Sequence, residues 1–83
     1  MTPTTETLTA EQVTIDRWVT QPKNSDMLIA EFWHEHSKIC LAYFVNGKPY
    51  IQVHGGQMDL AKAKATGVAL DLAHDWLMEQ ANG

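Results

Sequence analysis

The stretch Trp33-His34-Glu35-His36 is where residue types and spacing come closest to coordination chemistry. On an extended strand His34 and His36 would point the same way, roughly 6.5–7 Å apart. Such a pair can hold zinc once a third ligand arrives, and the strand register argued below brings His54 into the same region. A small His-rich metal-binding protein built on His34, His36 and His54 is therefore one expectation. The pattern arises readily by chance, however, and no residue fixes the third ligand. Two surface or interface histidines, with a contact that responds to pH, are the plainer reading, and the expected metal and cofactor are none.

Other reactive side chains lack partners. Glu31 and Glu35 fall on one face of a strand without a matching acid or base. Asp71, His74 and Asp75 occupy neighbouring helical positions, where a solvated face is the ordinary outcome. Cys40 is the single cysteine and sits between Ile39 and Leu41; a lone thiol in an apolar run reads as a small core residue, not a nucleophile. The chain carries no phosphate-binding glycine loop, no nucleophile elbow and no paired Cys/His zinc spacing. Gly55-Gly56 ahead of a helix could seat an anion, but with Asp59 beside it a strand-to-helix turn is expected. No convergent set of activated groups emerges, and the protein is expected not to be an enzyme.

The elements that would position these residues are an antiparallel meander and one helix. Residues 1–8 read as a flexible leader and 9–83 as a single α+β domain. Residues 10–20 are open to two readings. Thr9-Ala10-Glu11-Gln12 matches a capping box with Leu8 and Val13 as a staple, which favours a helix. Val13, Thr14, Ile15, Trp18, Val19 and Thr20 are strand formers, and Val13, Ile15 and Val19 alternate onto one face, which favours a strand over 13–20. Residues 21–26 form a loop around Pro22. Strands follow at 27–35, 39–45 and 48–54, with a turn near His36-Ser37-Lys38. Asn46-Gly47 suits a two-residue type I′ hairpin, and Pro49 suggests an edge strand. A helix runs over 58–80, with Ala61, Ala65, Val68, Ala69, Leu72 and Trp76 on one stripe. Gly67, costing about 1 kcal/mol against alanine, reads as a point of close approach to the sheet. The fold class is α+β, β-β-β-β-α, or α-β-β-β-α if residues 10–20 are helical: a three- or four-stranded antiparallel meander with one long C-terminal helix on one face.

The Asn46-Gly47 turn pairs Val45 with Lys48, Tyr43 with Tyr50, Leu41 with Gln52 and Ile39 with His54. Side chains alternate, so Cys40, Ala42, Phe44, Ile51 and Val53 face the helix. Ile39, Leu41, Tyr43, Val45, Tyr50, Gln52 and His54 face away. With Ser37-Lys38 as the next turn, Phe32, His34 and His36 join that outer face and Trp33 goes to the core; a one-residue slip exchanges the two sets. One helix covers one face, so the outer face exposes a contiguous apolar patch of the kind that marks interaction sites. The expected interaction surface is Phe32, His34, Leu41, Tyr43, Tyr50 and Gln52, together with Leu70 and Leu77, which widen the helix stripe. The alternative is that the N-terminal segment folds back over that face.

Ten acidic against six basic residues give a net charge of −4, which opposes binding to phosphate backbones. A domain of this size buries only about 60–65% of its unfolded surface, and with no disulfide to reinforce it, self-association is expected. The unpaired cysteine fits a reducing compartment. No signal peptide or membrane-length apolar run is read, so a cytoplasmic protein without a membrane partner is expected.

Three functions follow from these residues. The first is a non-enzymatic protein-binding module, homodimeric or docking another protein. Small acidic one-domain chains of this make-up are similar to accessory proteins of phages and mobile elements. That likeness implies an inhibitor of a host nuclease, of the anti-CRISPR kind, acting by mimicry in a basic groove. The second is a nucleic-acid-binding accessory protein. An α-β-β-β-α order with Lys62-Ala63-Lys64 in the last helix resembles double-stranded-RNA-binding domains in outline, although Asp59 and the negative net charge depart from their basic surface. The third is the histidine metal site above.

Overall fold

The structure is a computed structural model that describes residues 4–22 and 27–83. Three two-residue turns organise its sheet. Asn46 and Gly47 adopt φ of 52° and 81°, the left-handed geometry these residues favour, and close a type I′-like hairpin. Glu11 and Gln12 (50° and 66°) and Glu35 and His36 (46° and 67°) turn the chain in the same way, although neither pair is a type that favours positive φ. The pairing of the strands on either side must offset that cost.

The elements are β1 (Thr4–Ala10), β2 (Val13–Thr20), β3 (Ile29–His34), β4 (Ser37–Val45), β5 (Lys48–Val53) and α1 (Leu60–Asn82). The strands form one antiparallel sheet in the order β1-β2-β3-β4-β5, and α1 lies across one side of it, chiefly over β4. The α+β meander with a long C-terminal helix is as the sequence indicates, with one strand more. The extra strand replaces the leader reading over residues 4–8, while residues 1–3 lie outside the described residues. Threonine-rich β1 pairs along β2, Leu8 opposite Ile15 and Glu6 opposite Arg17, and Arg17 Nη2 donates to Glu6 Oε2 at 2.7 Å. The capping-box reading fails because Glu11-Gln12 is a hairpin turn. From Thr4 onward the N-terminal segment extends the sheet at the β1 edge, and these described residues do not cover its outer face. Residues 23–26 of the expected loop lie outside the described residues.

The β3–β4 turn also falls two residues earlier than Ser37-Lys38. A two-residue shift alone would leave the faces of β3 as they were; one extra residue in β4 exchanges them, so that Phe32 points to the helix and Trp33 away from it. Phe32 stands opposite Cys40 while Trp33 stands opposite Lys38, leaving Ile39 as an extra residue in a β-bulge. The bulge turns Ile39 inward as well. Phe32, Ile39, Cys40 and Ile15 are all fully buried.

The core joins Ile15, Ala30, Phe32, Ile39, Cys40 and Ala42 of the sheet to Val68, Ala69, Ala73, Trp76 and Leu77 of α1. Leu77 is thus a core residue, a correction to its place on the expected interaction surface, and Leu70 packs against the same cluster. Phe32 is corrected in the same way. Alanines on both sides of this contact, Ala30, Ala42, Ala65, Ala69 and Ala73, are fully buried, so small side chains provide the close approach that Gly67 was expected to provide.

Gly67 itself is exposed, and a Cβ built there meets nothing within 4 Å. Gly67→Ala is expected to stabilise the fold by about 1 kcal/mol through helix propensity alone, read as a higher urea midpoint at unchanged slope. A loss of stability would place a neighbour against that position. The helix starts at Asp59, whose Oδ1 accepts from the Lys62 amide at 2.8 Å, a side-chain N-cap. Lys64 reaches Glu11 at 2.8 Å and ties the helix to the β1–β2 turn. Among the described residues, no helix is long and apolar enough to cross a membrane.

Candidate functional site

Because side chains alternate along each strand, the side of the sheet opposite α1 takes every second residue. From β1 it takes Thr5, Thr7 and Thr9, and from β2 Thr14, Asp16 and Trp18. From β3 come Glu31 and Trp33, from β4 Leu41, Tyr43 and Val45, and from β5 Lys48, Tyr50 and Gln52. No described element packs over this face. Trp18, Val45 and Tyr50 are 41%, 43% and 47% exposed, a large apolar area to leave in water.

The face divides into two halves. Over β4 and β5, Tyr43 and Tyr50 stand directly opposite each other and stack with centroids 6.3 Å apart and planes at 27°. The Tyr43 hydroxyl reaches Gln52 Oε1 at 3.5 Å, and Leu41 and Val45 flank the pair along β4. Over β2 and β3, Trp18 opposes Glu31 and Asp16 opposes Trp33. Two indoles and two carboxylates therefore alternate at the corners of a rectangle. Trp33 Nε1 donates to Glu31 Oε1 at 2.9 Å, and Lys38 Nζ lies 3.6 Å from the same oxygen and 5.7 Å from the centre of the Trp33 ring. A cavity of about 410 Å³ opens here, lined by Asp16, Trp18, Glu31, Trp33 and His36. Toward the β1 edge the face becomes polar: the Thr7 hydroxyl donates to Asp16 Oδ1 at 3.0 Å.

Of the residues picked out from sequence, Leu41, Tyr43, Tyr50 and Gln52 come together on this face. Phe32 and Leu77 are in the core, and Leu70 lies against it. His34 sits at the end of β3 on the helix side, sharing a cavity with Ala61 and Lys64. Trp18, Trp33, Asp16 and Glu31 were not picked out. The alternation of Val13, Ile15 and Val19 toward the core already sends Asp16 and Trp18 outward; the bulge at Ile39, which has no sequence signature, hid Trp33 and Glu31.

The histidine metal site is corrected. His34 closes β3 and His36 occupies the turn, so the two do not share the extended spacing the pattern requires. The Nε2 atom of His54 is buried without a hydrogen-bond partner. Among the described residues, no three of His, Cys, Asp and Glu are grouped to hold a metal ion. Burial pushes the Cys40 thiol up to about 11, which keeps it protonated near neutral pH and a poor nucleophile. The α-β-β-β-α order is corrected as well, since residues 13–20 are a strand, and Lys64 is engaged with Glu11.

Compared with known proteins, the chain matches no family model, no curated protein and no solved structure.

Proposed function

We propose that this chain is a non-enzymatic protein-binding module that docks through the sheet face opposite α1, and that the β4–β5 half of that face pairs with a second copy of itself. The observation that carries this reading is the uncovered cluster of Leu41, Tyr43, Val45 and Tyr50. Aromatic side chains without net charge are what interface centres favour. Two such faces can pack as a sandwich about a two-fold axis. Charge selects the half: a symmetric contact centred on Asp16 and Glu31 would set carboxylates against carboxylates, whereas the β4–β5 half carries Lys48 only at its rim.

The net charge of −4 supports a basic surface as the heterologous partner. That agrees with the accessory-protein reading, in which an acidic module blocks the nucleic-acid groove of a host nuclease.

Sedimentation over a concentration series tests the pairing. The wild-type mass is expected to rise from 9.3 kDa toward twice that value. Tyr43→Glu is expected to hold it at the monomer, because an unpaired carboxylate would be buried at the contact. A wild-type protein that stays monomeric at every concentration, or a Tyr43→Glu variant that associates normally, rules the pairing out.

A further inference from the structure

We infer that the β2–β3 half of the open face is a binding site for an arginine side chain presented by a partner protein. The inference rests on the protein-binding reading above and names the chemistry of the partner. Cations are attracted to the face of an indole, arginine most of all, since its planar guanidinium stacks on the ring while its donors reach carboxylates. The register supplies both components at once. Trp18 and Trp33 lie on one diagonal of the rectangle, Asp16 and Glu31 on the other, and the cavity among them, about 410 Å³, is within the range of small-ligand sites. The fold already makes a weaker version of the contact internally: Lys38 sits over Trp33 and beside Glu31. One lysine does not balance two carboxylates. Asp16 accepts from the Thr7 hydroxyl and, among the described residues, has no cation beside it. Trp18 is 41% exposed and lines that cavity. A guanidinium inserted between the indoles would cover Trp18 and neutralise Asp16 together.

Lys38 makes the idea specific, because it would compete with the incoming cation for Glu31 and Trp33. Competition at the site predicts a larger gain on neutralising Lys38 than on neutralising Lys62 of α1, whereas general charge attraction predicts equal gains.

The test titrates the ¹⁵N-labelled full chain with an octa-arginine peptide, using octa-glutamate as control, and follows the three indole N–H signals. Those of Trp18 and Trp33 are expected to shift with octa-arginine, while that of core Trp76 stays in place. Trp18→Leu, at an exposed position, is expected to weaken binding about tenfold. Lys38→Gln is expected to strengthen it about threefold. Neutralising Asp71 and Asp75, exposed on α1, is expected to change it by less than about twofold. Binding that ignores Trp18→Leu but falls with the helix substitutions is general charge attraction and overturns the site, as does the absence of any indole shift. If the indoles do not respond while Tyr43→Glu still abolishes self-association, the arginine site fails and the docking face stands. The reverse result keeps the arginine site and removes the self-pairing.

Discussion

Phe32→Ala is expected to destabilise the protein by about 3–5 kcal/mol, the cost of removing a buried phenylalanine and leaving its cavity. An 83-residue chain has in total only about 4–12 kcal/mol of stability, so the variant should stand close to its unfolding threshold at room temperature. The reason is geometric. Phe32 is fully buried at the centre of β3, opposite Cys40 on one side and Arg17 on the other, beneath the helix that carries Val68, Ala69 and Trp76. Alanines fill much of the remaining core, so few large neighbours can move to close the space. Urea denaturation of the wild type and the variant measures the loss directly. A loss within about 0.5 kcal/mol, the ordinary figure for a surface position, would return Phe32 to the outer face and reverse the assignment of every residue in β3.

That reversal is the point on which sequence and structure part. Asn46-Gly47 is read correctly because both residues accept positive φ, and it places Leu41, Tyr43, Tyr50 and Gln52 in their observed pairs. The helix is legible from its apolar stripe, although Leu77 was placed on the interaction surface as a widening of that stripe and instead packs into the core. The turn at Glu35-His36 leaves no local signal. Both residues adopt positive φ because the strands around them pair well, a tertiary cause invisible in a six-residue window. A search by turn chemistry settles on Ser37-Lys38, and alternation carried on from there misses the extra residue Ile39, which is what inverts β3. The same blindness hides Glu11-Gln12, which turned a capping box into a false helix signal and β1 into a supposed leader.

The candidate site was half legible for the same reason. Its β4–β5 half follows from the one turn with a strong signature. The β3 part of its other half depends on a bulge that leaves no signature in the sequence. The rectangle of Trp18, Glu31, Asp16 and Trp33 also joins residues from two strands separated by a loop, and periodicity within either strand says nothing about which residues stand opposite. The histidine pattern failed through the opposite error: a spacing rule valid on a strand was applied across residues that turn.

Ile39 and Leu41 provide the second large effect, and it tests the bulge. Regular alternation puts the two on one face, so their truncation to alanine should then cost similar amounts. The bulge between Phe32 and Trp33 instead turns Ile39 into the core beside Cys40, while Leu41 stays on the open face opposite Glu31 and Gln52. Ile39→Ala is therefore expected to cost about 2–5 kcal/mol, and Leu41→Ala about 1 kcal/mol. The two should also separate in a second measurement. Leu41→Ala removes an apolar group next to Tyr43 and is expected to weaken self-association, whereas Ile39→Ala, once allowance is made for the unfolded fraction, leaves it unchanged. Equal losses of stability would mean that β4 alternates without interruption. Lys38 would then point toward the helix and lose its place over Trp33, and the charge balance from which the arginine site is argued would no longer hold. The bulge thus fixes the core side of β4 and, through Lys38, the chemistry of the opposite face.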